Sequence, residues 1–440
     1  MIRASQVASR IRVQVLDKQW DGAIRRVAAG ASQTTVFVER REDLSAVAAS
    51  AEHPSVKHTV WAGTCVERPD RSLIFHSGLL PDQLAGLLSG KPPRDAGPAG
   101  QIPLELETGP AVAAVTGAIV EAQRRLPEAR FRARWVEFDQ QVKIGYGGAV
   151  FDDRRSTRRI RIDAALERSD RAATASAERV IQNDNNYISD VISEIIERLE
   201  ARMNAADPVA GPTTVVFAPA IAGIWIHELV GHAAEADLAM QGRSWLTPDI
   251  DSLPAGLTVI DDPRRARASW KFDDEGTPVR PVALIHEGRP KELLHSRRTA
   301  AEWGAKTTGH GRRGSFREPI LPRMGCTFIA NGTDDPNEIL QNVQEGIYVR
   351  RMESAHTDPT TGRAVFRVTD ADRIRCGKLV SPLKPHLLET VAGKALEAIE
   401  GIGCDLAFDR CIGTCHRKGQ PLPASVGAPT ICTRLMTVRF

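Results

Sequence analysis

The chain is predicted to be α+β: an N-terminal mixed α/β domain over residues 1–205, then a β-rich C-terminal domain over residues 206–440 holding one buried helix. Three observations predict this. Two segments, GPAVAAVTGAIVEAQRRL (109–126) and NNYISDVISEIIERLEARM (185–203), carry apolar residues at helical spacing. Between them, RFRARWVEFDQQVKIGYGGAVFDDRRSTRRIRIDAAL alternates like strands. Beyond residue 205 the helical pattern gives way to short β-like runs separated by Gly, Pro and Asp.

In chain order, SGKPPRDAGPAGQIP (88–102) reads as a linker or a long surface loop. The helix 109–126 ends in arginines, and Tyr146-Gly147-Gly148 reads as the turn between two strands. The amphipathic helix 185–203 stops before NAADPVAGP, which reads as a boundary rich in Pro, Gly and Ala. TTVVFAP (213–219) reads as a buried strand, with Pro219 suited to a helix start. The helix that follows, AIAGIWIHELVGHAAEAD, is apolar nearly all round and should be buried. LTVIDD, PVALIHEG, MGCTFIAN, GRAVFRVTD and ICTRLMTVRF are the strands of the second half. No internal repeat is visible.

Length, 440 residues, suggests two or three domains, and 42% hydrophobic with 26% charged residues is ordinary globular composition. A net charge of +3 with both signs interspersed argues against a nucleic-acid partner, and 5% aromatic residues argue against base-stacking platforms. No apolar run is long enough to span a bilayer, and MIRASQVASRIRVQVLDKQWDG lacks the apolar core of a signal peptide. The expected location is therefore cytoplasmic, away from membranes. Seven cysteines in such a chain point to metal or catalytic use before disulfides. Cys404, Cys411, Cys415 and Cys432 crowd the C-terminal end. Cys65, Cys326 and Cys376 read as small buried hydrophobes.

The stretch WIHELVGHAAEAD (225–237) carries the chemistry. On an ideal helix, at about 100° per residue, Ile221, Ile224, Trp225, Glu228, Leu229, His232 and Glu235 form one stripe. Two carboxylates and an imidazole in an apolar face cost several kcal/mol, roughly, unless each has a partner. One reading is a buried helix whose polar groups are satisfied by hydrogen bonds. Another is a metal site. His227 and His232 are spaced i, i+5, about 140° apart on an ideal helix. They reach one ion only if the helix ends, widens or kinks between them, and Gly231 is the residue that would permit it. A third reading uses the trio Glu228, His232 and Glu235 as carboxylate-helix ligands, but no second helix carries a matching set.

Over roughly residues 205–440 the chain resembles the TldD/PmbA metalloproteases, in their TldD-type, metal-bearing subunit. HELVGHAAEAD matches the HExxxH motif with its following Glu and Asp, here His227, Glu228, His232, Glu235 and Asp237. TTGHGRRGSF (307–316), PRMGCTFI (322–329), EILQNVQEGIYV (338–349) and CHRKGQPLPASVGAPT (415–430) resemble further family blocks in order. The resemblance implies Cys415 as third metal ligand beside His227 and His232, with zinc before iron(II) as the ion. It implies Glu228 as the base that activates water. It also implies pairing with a second TldD/PmbA-type subunit, as a hetero- or homodimer, and a sheltered cleft for unfolded peptides. The zinc chemistry agrees: three protein ligands leave an open fourth position for water or a carbonyl.

Several residues depart from the family pattern: His416-Arg417 after the cysteine, Glu353 and Ser354 ahead of Asp358, Ala364, His310 and Cys326. Placed around the expected groove, they bear on substrate preference and leave the ligands intact. Other candidates are weaker. Cys404, Cys411, Cys415 and His416 could form a structural zinc site but lack a paired CxxC. HGRRGSFR (310–317) could bind phosphate, nucleic acid or a peptide carboxylate, or be a solvated loop. Asp152-Asp153, Asp261-Asp262 and Asp273-Asp274 look like turn residues. The expected function is a zinc-dependent peptidase acting on unfolded or modified peptides, in peptide clearance or natural-product maturation. The alternatives are a metal-dependent hydrolase of an amide or C–N bond in a small metabolite, and a non-catalytic scaffold subunit. No substrate-binding residue is assigned.

Overall fold

In the computed structural model of the chain, residues 18–30, 33–70, 72–77, 84, 107–181 and 187–439 are described. The break expected over 88–102, and the N-terminal stretch before residue 18, lie outside them. The first half forms one antiparallel sheet of β1 (Thr35–Ala48), β2 (Ser55–Glu67), β3 (Leu73–Ser77), β4 (Arg130–Tyr146), β5 (Ala149–Arg168) and β6 (Arg171–Val180), in the order β3-β2-β1-β4-β5-β6. The β4–β5 register closes on Tyr146 opposite Ala149, so Gly147-Gly148 is a two-residue hairpin turn. Both glycines have positive φ, 56° and 79°, the backbone that matches the twist of the flanking strands.

Helices Lys18–Gly30, Thr108–Arg125 and Tyr187–Met203 cover the sheet. Ala111, Val115 and Ile119 of the second and Val191, Ile195 and Leu199 of the third pack with Trp135, Ile160 and Ile162. Alternation along β1 shows which faces are covered. Its first six residues are all buried, whereas the rest alternate. The difference arises because Val36 and Val38 meet the first helix while Phe37, on the opposite face, packs with Phe316 of the second half.

The second half holds two larger sheets. One runs β14 (Glu345–Asp358), β7 (Gly211–Phe217), β22 (Ile431–Arg439), β17 (His386–Val391), β15 (Arg363–Arg375), β16 (Lys378–Leu383), with β18 (Ile399–Ile402) on β22. Because β14 also pairs with β15, five of these strands close into a ring. The other runs β10 (Arg289–Pro290), β9 (Val282–His286), β8 (Val259–Asp261), β13 (Cys326–Ile329), β21 (Gln420–Ala428), β19 (Ala407–Phe408), with β20 (Gly413–Arg417) on β21. β11 (Gly311–Arg312) and β12 (Leu321–Pro322) form a short ribbon. The architecture is strand-rich and mixes helices with sheets. Among the described residues no helix is long and apolar enough to cross a membrane.

The helix expected over 220–237 is shorter and broken. Ala220 turns with φ 71°, and the α-helix spans Ala222–Ile226. A π-helical turn follows at His227–Gly231, and Glu235 is already extended, at φ −72° and ψ 112°. Trp225, Ile226, Leu229 and Val230 are buried between the two sheets.

Several polar segments expected at the surface are buried. In 310–317, His310, Arg312 and Arg313 are at most 3% exposed, so this is neither a solvated loop nor an accessible phosphate patch. The Arg313 amide and the Arg312 guanidinium both bind Asp274. Asp274 also takes Arg155 of β5 at 2.6 Å, an ion pair between the two halves with both side chains at most 1% exposed. Asp261 accepts from His310, Gly325 and Thr327. Asp152 and Asp153 lie within strand β5. These acidic pairs are thus buried network or strand residues, because partners distant in sequence compensate their desolvation. Cys65 and Cys326 are buried as expected, but Cys376 is exposed at a left-handed turn, φ 48°.

Candidate metal centre

The π-helical turn decides the site. His232 N–H donates to the His227 carbonyl at 3.2 Å, a bond five residues back in place of four. The wider turn reduces the rotation between the two histidines, and both come to one side. Their ring centroids are 5.3 Å apart with planes at 81°. Trp245 Nε1 donates to the Leu229 carbonyl at 2.6 Å and so satisfies an oxygen within the irregular turn. Gly231 is not needed for its backbone freedom, since it is absent from the positive-φ positions. A Cβ there would lie 2.0 Å from Met324 Sδ, so the constraint is packing.

Cys415 comes from strand β20. Successive side chains of a strand face opposite ways, and here Cys415 and Arg417 are buried while Thr414 and His416 are exposed. Cys415 Sγ lies 3.5 Å from His232 Nε2. Ligand-capable atoms of His227, His232 and Cys415 are all within 4.8 Å of one another, the one such group of three among the described residues. Cys404, Cys411 and His416 are not drawn in. Cys404 is exposed, and the Cys411 thiol donates to the Glu178 carbonyl. The trio Glu228, His232 and Glu235 does not converge either, because Glu235 leaves the helix and stands behind His232.

Burial opposes charge on His232, but the neighbouring Cys415 and Glu235 outweigh it and hold the imidazolium well above its usual range. His227 is raised as well, burial again opposing and Cys415 favouring its charge. Burial would push the Cys415 thiol up, yet the two imidazoles, His232 foremost, hold it well below the ordinary thiol range. The group thus favours a thiolate facing positive charge. A soft thiolate with two imidazoles is a donor set suited to zinc.

A cleft of about 1030 Å³ opens onto these residues, lined from both halves, by Arg159 and Glu178 as well as Glu353, Ser354 and His416. Glu228 also lines it and is half-buried. Among the described residues its carboxylate makes no ion pair or hydrogen bond. Three departures from the family pattern are not in the groove: Ala364, His310 and Cys326 are fully buried. Sequence pattern named Glu235 and Arg417 but gave neither a place behind His232. Its Nδ1 lies 3.1 Å from Glu235 Oε2. Glu235 is fully buried and meets Arg417 Nη1 at 3.2 Å. A signal was available: Arg417 stands two residues from Cys415 in a strand and so shares its face.

Residues 210–439, just over half of the chain, match the PmbA/TldA metallopeptidase C-terminal domain. The chain is 32% identical over 240 residues to the metalloprotease TldD homolog of Buchnera aphidicola subsp. Acyrthosiphon pisum, 54% of this chain and 50% of that protein. It is 29% identical over 280 residues to the zinc metalloprotease TldD homolog of Saccharolobus solfataricus, 60% and 61% of the two chains. The aligned region thus spans about half to three-fifths of these relatives. Among solved structures, TldE from Thermococcus kodakarensis superposes with a TM-score of 0.75 at 15% identity, covering 96% of this chain and all of that one. At that identity the likeness is one of fold.

Proposed function

The chain belongs to the PmbA/TldD metallopeptidase family, and on that premise we propose that it is a zinc-dependent peptidase of the TldD type. In this reading His227, His232 and Cys415 hold the ion and Glu228 is the general base. The observation that carries it is the convergence of the three donor side chains within 4.8 Å. Zinc bound there supplies Lewis acidity toward a water molecule and a peptide carbonyl. Glu228, half-buried in the cleft wall, takes a proton from the attacking water and returns it to the leaving amine. His227 and Cys415 are buried in the cleft wall, and this low-dielectric setting strengthens these interactions.

The cleft, about 1030 Å³, lies at the upper end of the range for small-ligand pockets and has room for a peptide segment. Unfolded or modified peptides are therefore the proposed substrates, in clearance or maturation. We take residues 1–205 and 206–440 as two domains with the cleft between them, and the cytoplasm as the place of action. A second TldD/PmbA-type subunit, of the same or another kind, is the proposed partner; the likeness of fold to TldE supports this. The test is metal analysis of the purified protein together with hydrolysis of unfolded peptides. Absence of bound zinc after loading, with no peptide cleaved, overturns the proposal.

A further inference from the structure

We propose that Arg417 is a positioning residue for the metal centre, acting through Glu235 to hold the His232 ring with Nε2 toward Cys415. The inference rests on the metal reading above. It starts from two elements joined by two contacts. On strand β20, Cys415 and Arg417 share the buried face. Opposite them stand His232 and Glu235. Cys415 Sγ meets His232 Nε2 at 3.5 Å, and Arg417 Nη1 meets Glu235 Oε2 at 3.2 Å.

The same oxygen, Glu235 Oε2, lies 3.1 Å from His232 Nδ1. A carboxylate at Nδ1 fixes both the tautomer and the orientation of a ligating imidazole. Glu235 is not placed by helical periodicity. Its flanking backbone is pinned to Leu294: Leu294 N–H donates to the Ala234 carbonyl and Ala236 N–H to the Leu294 carbonyl, at 2.8 and 3.0 Å.

Arg417 supplies the counter-charge. Glu235 and Asp237 are two buried carboxylates, 0% and 1% exposed. Arg417 spans them, with Nη2 at 2.6 Å from Asp237 Oδ2, and Nη1 also donates to the Pro322 carbonyl at 3.2 Å. The other cation near Glu235, Arg323 Nε, stands at 3.9 Å, beyond hydrogen-bond reach. Arg323 spends its other nitrogens on the Cys415 and Gln420 carbonyls. Without the Arg417 fork, Glu235 keeps only Arg323 Nε at 3.9 Å and Asp237 only Lys418 Nζ at 4.0 Å as cationic side chains of Arg or Lys, both beyond hydrogen-bond reach. Glu235 then loses the contact that aims it at His232. A lysine offers one ammonium and can meet one carboxylate at a time, so it is a partial substitute.

The two imidazoles are unequal in this respect. Among the described residues His227 Nδ1 is buried with no hydrogen-bond partner, so no side chain fixes that ring from behind, although its other edge meets Cys415. His232 is the anchored ligand, and Arg417 is what anchors it.

The experiment uses the full chain loaded with zinc and follows zinc transfer to an excess of a chromogenic chelator. Arg417→Lys, Arg417→Gln, Glu235→Gln and the double variant Arg417→Gln/Glu235→Gln are compared with wild type. Thermal melting of each zinc-free protein reports on the fold. Arg417→Gln is expected to release zinc about 10–100-fold faster, with Arg417→Lys in between. The double variant is expected to release it no faster than Glu235→Gln alone, because Arg417 acts through Glu235. If Arg417→Gln does not fold, Arg417→Lys, which keeps the charge, carries the comparison. Wild-type release rates in folded Arg417→Lys and Arg417→Gln overturn the proposal. So does an Arg417 effect that persists in full once Glu235 is Gln. A wild type that takes up no zinc overturns the metal reading itself, a distinct result.

Discussion

Cys415 Sγ and His232 Nε2 lie 3.5 Å apart although 183 positions separate them in sequence. Strand β20 and the π-helical turn meet there, and the contact joins the thiolate to the imidazoles. Cys415→Ser replaces a soft thiolate with a hard hydroxyl. The zinc content of the purified variant is expected to fall well below one ion per chain while the fold persists. Elemental analysis beside circular dichroism checks this, and full occupancy in the serine variant would move the third ligand elsewhere.

Glu228 lines the cleft beside the histidines but holds none of the donor atoms in the group of three. Glu228→Gln keeps shape and removes the base. Zinc content should stay near wild type while peptide hydrolysis drops by roughly 10²-fold or more. Turnover at the wild-type rate in this variant would remove Glu228 from the chemistry.

Gly231 is set by Met324. A valine there would put Cβ 2.0 Å from the Met324 sulfur, and overpacking of this kind costs about 1–3 kcal/mol or more. Gly231→Val should therefore lower stability in urea melts. A double-mutant cycle with Met324→Ala should recover part of the loss, since the smaller side chain makes room. Purely additive effects would show that the strain lies in the backbone instead.

Glu275 gives a pH dependence whose sign can be stated. Burial, and after it the Asp273 carboxylate, pushes Glu275 from 4.5 up to about 8. Burial likewise pushes Asp273 up to about 6. Between the unfolded and folded values the native chain keeps a proton that the unfolded chain has lost. Stability is fully present below about 4.5 and is lost as pH rises toward 8, at up to ~1.4 kcal/mol per pH unit for one proton. Glu275→Gln keeps an acceptor for the Arg297 amide, which donates to Glu275 Oε2 at 2.6 Å, and cannot ionise. Denaturant melts at pH 5 and pH 8 should show a smaller difference in this variant than in wild type. An unchanged difference would mean that another group sets the slope.

Much of the fold is legible in local pattern. The 3.6-residue spacing in 109–126 marked the helix Thr108–Arg125, and alternation around Gly147-Gly148 marked the β4–β5 hairpin. Both depend on contacts between near neighbours, and a period of apolar residues records those directly. The i, i+5 histidine spacing likewise called for an irregular turn, and a π-helical turn stands at His227–Gly231.

What pattern did not carry is which polar groups are buried and what they meet. Helical periodicity put Glu235 on a stripe with Glu228 and His232. Backbone pairing with Leu294 pulled it off the helix and set it behind the His232 ring. HGRRGSFR has the composition of a surface loop, yet Arg312 and Arg313 are buried: the Arg312 guanidinium meets Asp274, and that of Arg313 lies over the Phe37 ring with Glu67 at 3.7 Å. By itself the sequence determined the strand-rich mixed fold and the HExxxH segment, and its family resemblance pointed to Cys415 beside the two histidines. Only the tertiary structure decided that Cys415 meets His232, that His416 does not, and that Arg417 stands against Glu235. The reason is physical. Periodicity reports the local environment of a segment, whereas a buried charge is stable only beside a partner that the chain brings from far away in sequence.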